Sequence, residues 1–222
     1  MKKRKELNMA TFDFKKEEKQ FYSPKTTPSI IDIPEMSFIL IDGEGNPNTS
    51  EEYKKAVETL YGLSYAIRMN KSQTGYFEYV VPPLEGFWSF ADAVEFSVDS
   101  VILNKDKFIW TMLIRQPEFA TAEVFEYAKT MLSKKKPHLD VSLARFEKLR
   151  EGLCVQVMHW GPYDNEPATV KKIEKLIEEV DYEYDFSGTR RHHEIYLSDP
   201  RKVAPEKMKT VLRHPVKKIL KA

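Results

Sequence analysis

Twice in this chain an apolar, strand-like run passes through a glycine–proline turn into an amphipathic helix and then into another strand. That recurring order restricts the fold more than any single motif. The first pass starts at residues 37–43, turns at Gly45 and Pro47, and ends in Phe77-Glu78-Tyr79-Val80-Val81-Pro82. The second starts at residues 153–160, turns at Gly161-Pro162, and ends in a run closed by Pro200. Glycine and proline punctuate chains in this way because one supplies unusual φ values and the other fixes φ. Between turn and strand, Thr49-Ser50-Glu51-Glu52 reads as a helix-capping box, followed by Tyr53, Ala56, Val57, Leu60 and Ile67 at helical spacing to about Met69. In the second pass Asn165 is the expected cap, Pro167 falls in the first turn, and Val170, Ile173, Ile177 and Val180 line one face. Self-similarity at this scale predicts two related halves of one domain rather than a long array.

The remaining segments fit around that frame. Residues 76–81 and 107–114 read as strands, and about 121–133 as a helix with Val124, Ala128, Met131 and Leu132 inward. Residues 145–149 and 153–160 read as paired strands about Glu151-Gly152, and 205–213 as a short last helix stopped before Pro215. Helices that connect strands predict an α+β fold, with helices on one face of antiparallel sheets. Residues 1–30 are charged and weakly periodic and are expected to be a flexible lead-in. Residues 31–222 are expected to form a single domain with approximate halves 31–117 and 140–222.

Bulk properties narrow the functional classes. A chain of 222 residues with 41% apolar and 31% charged residues fits an ordinary globular protein with a sizeable core. A formal net charge of +1 gives no global field to recruit nucleic acid. Cys154, the single cysteine, lies in an expected core strand and reads as a small buried hydrophobe; one cysteine excludes an internal disulfide and fits the cytoplasm. No apolar run reaches membrane-spanning length, and the basic tract Met1-Lys2-Lys3-Arg4-Lys5 is not followed by the apolar stretch of a signal peptide. No membrane partner is expected.

The run Arg190-Arg191-His192-His193-Glu194-Ile195-Tyr196-Leu197-Ser198-Asp199-Pro200 carries the chemistry. On a strand, His192, Glu194 and Tyr196 share one face while His193, Ile195 and Leu197 share the other. A carboxylate on a sheet face is costly to bury without a partner, and a cation or an activated water would serve as one.

Four pieces of the chain together resemble the GyrI-like small-molecule-binding family: Pro83-Leu84-Glu85-Gly86-Phe87-Trp88, Leu113-Ile114-Arg115-Gln116-Pro117, Met158-His159-Trp160-Gly161-Pro162-Tyr163, and the run from His192 to Arg201. The resemblance spans about residues 37–216 and is to the stand-alone branch, since no helix-turn-helix arm is visible. It implies two β-α-β-β modules related by a pseudo-twofold, with a ligand cleft between them. It also implies binding of flat hydrophobic small molecules and, in some members, hydrolytic opening of the cyclopropane in DNA-alkylating cyclopropanoids, a detoxification. The other function it allows is a non-catalytic binder or sensor of hydrophobic cations. Neither implies a cofactor, and no protein partner can be named.

Glu194 is the candidate general base or counter-charge; its bland alternative is an ion pair with Arg190, Arg191 or Arg201. Glu85 is the second candidate carboxylate, or else an acceptor that holds its turn. Trp88, Trp110 and Trp160 are candidate ligand walls, and each reads equally well as core. Tyr163 and Tyr196 offer hydroxyls to a ligand carbonyl or a water, and His192 lies beside Glu194. His192, Glu194 and a nearby His159 make a set that can hold zinc, but helical HExxH spacing is absent and no metal is expected. Nucleotide loops of the GxGxxG and GxxxxGK[ST] types and a GxSxG elbow are also absent.

Overall fold

The structure, a computed structural model, describes residues 11–90 and 105–219, so the basic tract at residues 1–5 lies outside the described residues. Seven antiparallel strands are arranged in the order β4-β1-β3-β2-β6-β7-β5, and β7 also pairs with β4, which closes the sheet into a barrel. The strands are β1 (Ser29–Glu44), β2 (Leu84–Phe90), β3 (Phe108–Gln116), β4 (Arg145–Trp160), β5 (Tyr182–Tyr184), β6 (His192–Tyr196) and β7 (Lys209–Lys218). The helices are α1 (Phe14–Glu17), α2 (Lys19–Tyr22), α3 (Glu51–Met69), α4 (Ala122–Lys135) and α5 (Pro167–Glu179). The fold is thus mixed helix and antiparallel sheet, as expected. The order strand, helix, strand, strand occurs as β1-α3-β2-β3 and again as β4-α5-β6-β7, with β5 added between α5 and β6. No helix among the described residues is long and apolar enough to cross a membrane.

Local chemistry explains the elements. Ser50 caps α3, its hydroxyl accepting from the Tyr53 amide at 3.1 Å, and Thr121 caps α4 in the same way. Strands β1 and β4 are long because each serves two neighbours: β1 pairs with β4 through its first part and with β3 through its second. Pro34 has no N–H for the ladder, yet the β1–β4 register is the same on both sides of it. Opposite that point Gly152 has φ +70°, so β4 bends there and continues as one strand where the sequence reads as two.

Both α3 and α5 lie on the same face of the sheet. Gln116 on β3 donates to the Ser64 hydroxyl of α3 at 3.0 Å, and His159 on β4 meets Thr169 of α5 at 2.8 Å. Register places those two positions on the face that also carries Trp110, Trp88, Glu194 and Leu212. One core lies between α5 and β4–β7, built on Val155, Val157, Val170, Ile173 and Leu212; a larger one includes α3, α4 and the opposite sheet face.

Three segments depart from the sequence reading. Residues 76–81 are not a sheet strand; only Tyr79 forms an isolated bridge, to Phe12. Phe77 and Tyr79 instead pack in an aromatic cluster with Phe14 and Phe119, Glu78 is paired with Lys71, and Pro82-Pro83 lack the N–H groups a ladder needs. The second strand of the first half is therefore β2. Residues 205–213 supply one 3₁₀ turn (Pro205–Lys207) and then enter β7, because that strand closes the barrel against β4 and β6. The described part of the expected flexible lead-in packs on the domain: Phe14, Phe21 and Tyr22 are buried, and Glu18 holds Arg115 in an ion pair. That contact absorbs the Arg115 of the Leu113–Pro117 motif.

Candidate active site

The gap between α3 and α5, over the pairing of β2 with β6, is a cleft of about 570 Å³. Glu194 lines it from the centre of β6, opposite Gly86 on β2 and Leu212 on β7. Gly86 is needed there. A Cβ at that position would lie 2.8 Å from the Trp88 indole nitrogen and 3.2 Å from the Tyr196 hydroxyl. The space it leaves lets the Trp88 N–H donate to the Tyr196 hydroxyl at 2.9 Å.

Aromatic side chains form the walls. Tyr53 of α3 packs edge-on against Trp110 and tilts over Trp88, with ring centroids 5.3 and 6.2 Å away. Tyr163 meets Tyr196 edge to face at 5.6 Å. Burial, and next the charge of Glu194, raise the phenol pKa values of Tyr53, Tyr163 and Tyr196, so all three hydroxyls keep their protons at neutral pH.

A second carboxylate faces Glu194. Glu166 is the N-cap residue of α5, but its side chain makes no cap bond; it lines the cleft beside Glu194. Burial, then the charge of Glu194 and a hydrogen bond to it, hold the Glu166 carboxyl well above the ordinary range. Two adjacent carboxylates cannot both ionise cheaply, so Glu166 is the one held protonated beside Glu194, within 4.8 Å of it. Behind the pair, His192 Nε2 lies 3.0 Å from Glu194 Oε1, and His192 Nδ1 lies 2.7 Å from His214 Nε2. Burial and the neighbouring His192 depress the His214 pKa, which keeps that ring neutral.

The loop that carries Glu166 is fastened from below. His159 spans it, with Nδ1 on Thr169 at 2.8 Å and Nε2 3.1 Å from the Pro162 carbonyl, and Gly161 makes the turn at φ +123°. With both nitrogens engaged, His159 does not join His192 and Glu194. The His/carboxylate group that does gather is Glu166, His192 and Glu194, whose ligand atoms lie within 4.8 Å of one another. Such a set has the donor chemistry for a divalent ion.

The other sequence candidates have different positions. Glu85, also on β2, points to the opposite sheet face, 2% exposed and 3.0 Å from His193 Nε2. There it belongs to a buried network in which Glu151 bridges His193 at 2.9 Å and Arg213 at 3.0 Å. Trp110 is buried beneath the cleft with its ring over Gly43, and Trp160 is 51% exposed outside it, under the Lys209 amine. Trp88, Tyr163, Tyr196 and Glu194 line the cleft, and His192 backs Glu194. Nothing in the sequence singles out Glu166 or Tyr53 for this site. The one available signal is that a Glu fills a helix-cap position where Ser, Thr, Asp or Asn is favoured.

Geometry of this kind belongs to a small-molecule-binding domain, and the comparisons agree. The model of the GyrI-like small molecule binding domain matches residues 26–217, and the chain belongs to that family. A solved structure named an uncharacterized conserved protein from Listeria innocua is 47% identical, with a TM-score of 0.85, covering 93% of this chain and 100% of its own. Another, named a hydrolase from Listeria innocua, is 46% identical with a TM-score of 0.83 and the same coverage. The C-terminal domain of EcmrR, at 13% identity and a TM-score of 0.50 over 86% of this chain and 97% of its own, shares the fold. No curated protein matches the chain.

Proposed function

We propose that the cleft hydrolyses flat, apolar molecules bearing a strained cyclopropane conjugated to a ring carbonyl, the cyclopropanoid alkylating toxins. The observation that carries this reading is the Glu194–Glu166 pair at the floor of an aromatic cleft. The relatives named hydrolase, at 46% identity over nearly the whole chain, support the reaction class. In this reading the two β-α-β-β units, within residues 31–117 and 140–222, are modules related by a pseudo-twofold, and the cleft lies between them.

The aromatic walls hold the ring system. The Tyr163 hydroxyl, kept protonated, donates to the ring carbonyl. Glu194 takes a proton from water as the water oxygen bonds to the unsubstituted cyclopropane carbon. The C–C bond of the small ring breaks, and its electron pair passes through the conjugated ring to the carbonyl oxygen, which takes a proton from solvent to become a phenol while Glu194 returns the proton of the attacking water to solvent, so the sum is the addition of one water. Strain in the substrate supplies driving force, so positioning and one base suffice. Glu166 is a positioning residue: its proton fixes the orientation of the Glu194 carboxylate. Glu85 has no role in this chemistry.

Incubating the protein with a cyclopropanoid in ¹⁸O-labelled water and following the product by mass spectrometry tests the proposal. The expected product carries one labelled hydroxyl on the opened carbon; recovery of unchanged substrate at the rate of a protein-free control would contradict it. The alternative, a non-catalytic binder of hydrophobic cations, draws on the same arrangement of a carboxylate among Trp and Tyr faces. It predicts binding without any labelled product.

A further inference from the structure

The floor of the cleft gathers three metal-ligating side chains. Glu166, at the start of α5, and His192 and Glu194, on β6, offer donor atoms that all lie within 4.8 Å of one another. Strand alternation puts His192 and Glu194 on one face of β6, and His192 Nε2 lies 3.0 Å from Glu194 Oε1. In a tetrahedral zinc site with bonds of about 2.1 Å, donor atoms stand about 3.4 Å apart, so small carboxylate rotations close the set. His159, the third donor that the sequence offers, is engaged by Thr169 and the Pro162 carbonyl. Glu166 takes its place.

Two independent features single out this cluster. Glu166 is 7% exposed, makes no cap bond to its helix, and its Oε1 is buried with no hydrogen-bond partner among the described residues. A buried acceptor without a donor is rare, and an ion would fill that role. On the other side of the His192 ring, Nδ1 lies 2.7 Å from His214 Nε2. An ion on Nε2 leaves the imidazole proton on Nδ1, where His214 accepts it; metal-bound histidines are oriented by such a partner. Glu166 and Glu194 also line the open cleft, which gives an entry path and room for a fourth ligand.

We propose that Glu166, His192 and Glu194 form a binding site for a divalent transition-metal ion, with zinc as the best fit. One imidazole and two carboxylates balance a double positive charge. They suit zinc or cobalt better than magnesium or calcium, which favour six or more oxygen ligands. The site shares Glu194 with the proposed ring opening, and an ion on that carboxylate leaves no base for the water. Metal occupancy is therefore an off-switch for that reaction, and this consequence alone rests on the hydrolase reading.

The test titrates the metal-stripped full chain with Co²⁺, read by its visible ligand-field absorption, and then with Zn²⁺ in competition. The wild type is expected to take one ion per chain, with the band intensity of a four- or five-coordinate site. Glu166→Gln and Glu194→Gln keep the shape of each side chain and should each weaken binding by at least about tenfold. Circular dichroism and melting verify that each variant is folded. His138→Ala removes an exposed histidine beside Glu58 of α3 and should bind as the wild type does. Absence of cobalt bands at millimolar metal, or equal binding by the wild type and both Gln variants, would overturn the site. So would a loss caused by His138→Ala alone. Saturating Zn²⁺ should also stop ring opening, and turnover that persists with the site filled would overturn the off-switch. If the metal-free protein shows no turnover, the hydrolase reading fails and cobalt binding alone decides the site.

Discussion

At the residue scale, the site is an unequal pair of carboxyls. Glu166 is buried at the start of α5, its carboxyl held well above the ordinary range by burial and the charge of Glu194, while Glu194 lies 3.0 Å from His192 Nε2. A carboxyl with a raised pKa favours the fold below its unfolded value of 4.5, and that advantage is lost as pH rises, because the unfolded chain ionises freely and the folded one does not. Glu166→Gln keeps a donor to Glu194 and removes the titration. It is expected to retain most of the turnover and to melt at a higher temperature than the wild type, by a margin that grows as pH rises above 4.5. Glu166→Leu removes the donor and should lower kcat by roughly tenfold to a hundredfold, since a misplaced base loses about that much. Thermal melts across pH, paired with rates, check this. A dead Glu166→Gln would make Glu166 the base. Of the pair, Glu194 is legible in sequence because strand alternation puts it beside Tyr196. Glu166 is not, because its role depends on a contact between α5 and β6 that no local pattern encodes.

At the element scale, β2 and β6 act as a partition. One face of their pairing holds Gly86, Trp88, Glu194 and Tyr196 toward the cleft; the other holds Glu85 and His193 in the buried ion network. Burial opposes charge on both His193 and Glu151. The carboxylates around His193 nevertheless raise it to about 9, and His193 and Arg213 lower Glu151 to about 2. The His193 contribution is full below its unfolded value of 6.5 and is lost as pH rises through about 9; that of Glu151 is full above 4.5 and is lost as pH falls through about 2. Glu151→Gln strands Arg213 and leaves His193 with Glu85 alone, and should cost about 3–5 kcal/mol, the usual penalty for breaking a buried pair. The deficit should be greatest between pH 4.5 and 6.5 and shrink toward pH 9 in denaturant titrations. A deficit constant with pH would mean that the network is not ionised as described. Strand alternation alone already separates Glu85's face from Glu194's once both lie on paired strands. The sequence reading puts Glu85 in a turn because Pro82-Pro83 and Gly86 look like breakers, whereas β2 starts immediately after the prolines.

At the scale of the whole molecule, closure of the sheet by β7 is what makes a site from distant segments. It brings residues near 85, 166 and 194 together, and it turns a segment with local helix signals into a strand. The helices and most strands are legible from caps, turns and periodicity. Closure is not, because it depends on pairings between strands far apart in sequence. Family membership and the cleft together define a small-molecule-binding protein, and the carboxyl pair argues for hydrolysis. Paired turnover and affinity of the wild type and Glu194→Gln, on one cyclopropanoid and one aromatic cation, test that claim most directly. Loss of the base should slow ring opening by about a hundredfold to ten-thousandfold, while affinity for the neutral cyclopropanoid survives on the aromatic walls. No turnover in either protein, with weaker binding of the cation to Glu194→Gln, would instead make the cleft a cation-binding site, and wild-type turnover in the variant would remove Glu194 from the mechanism.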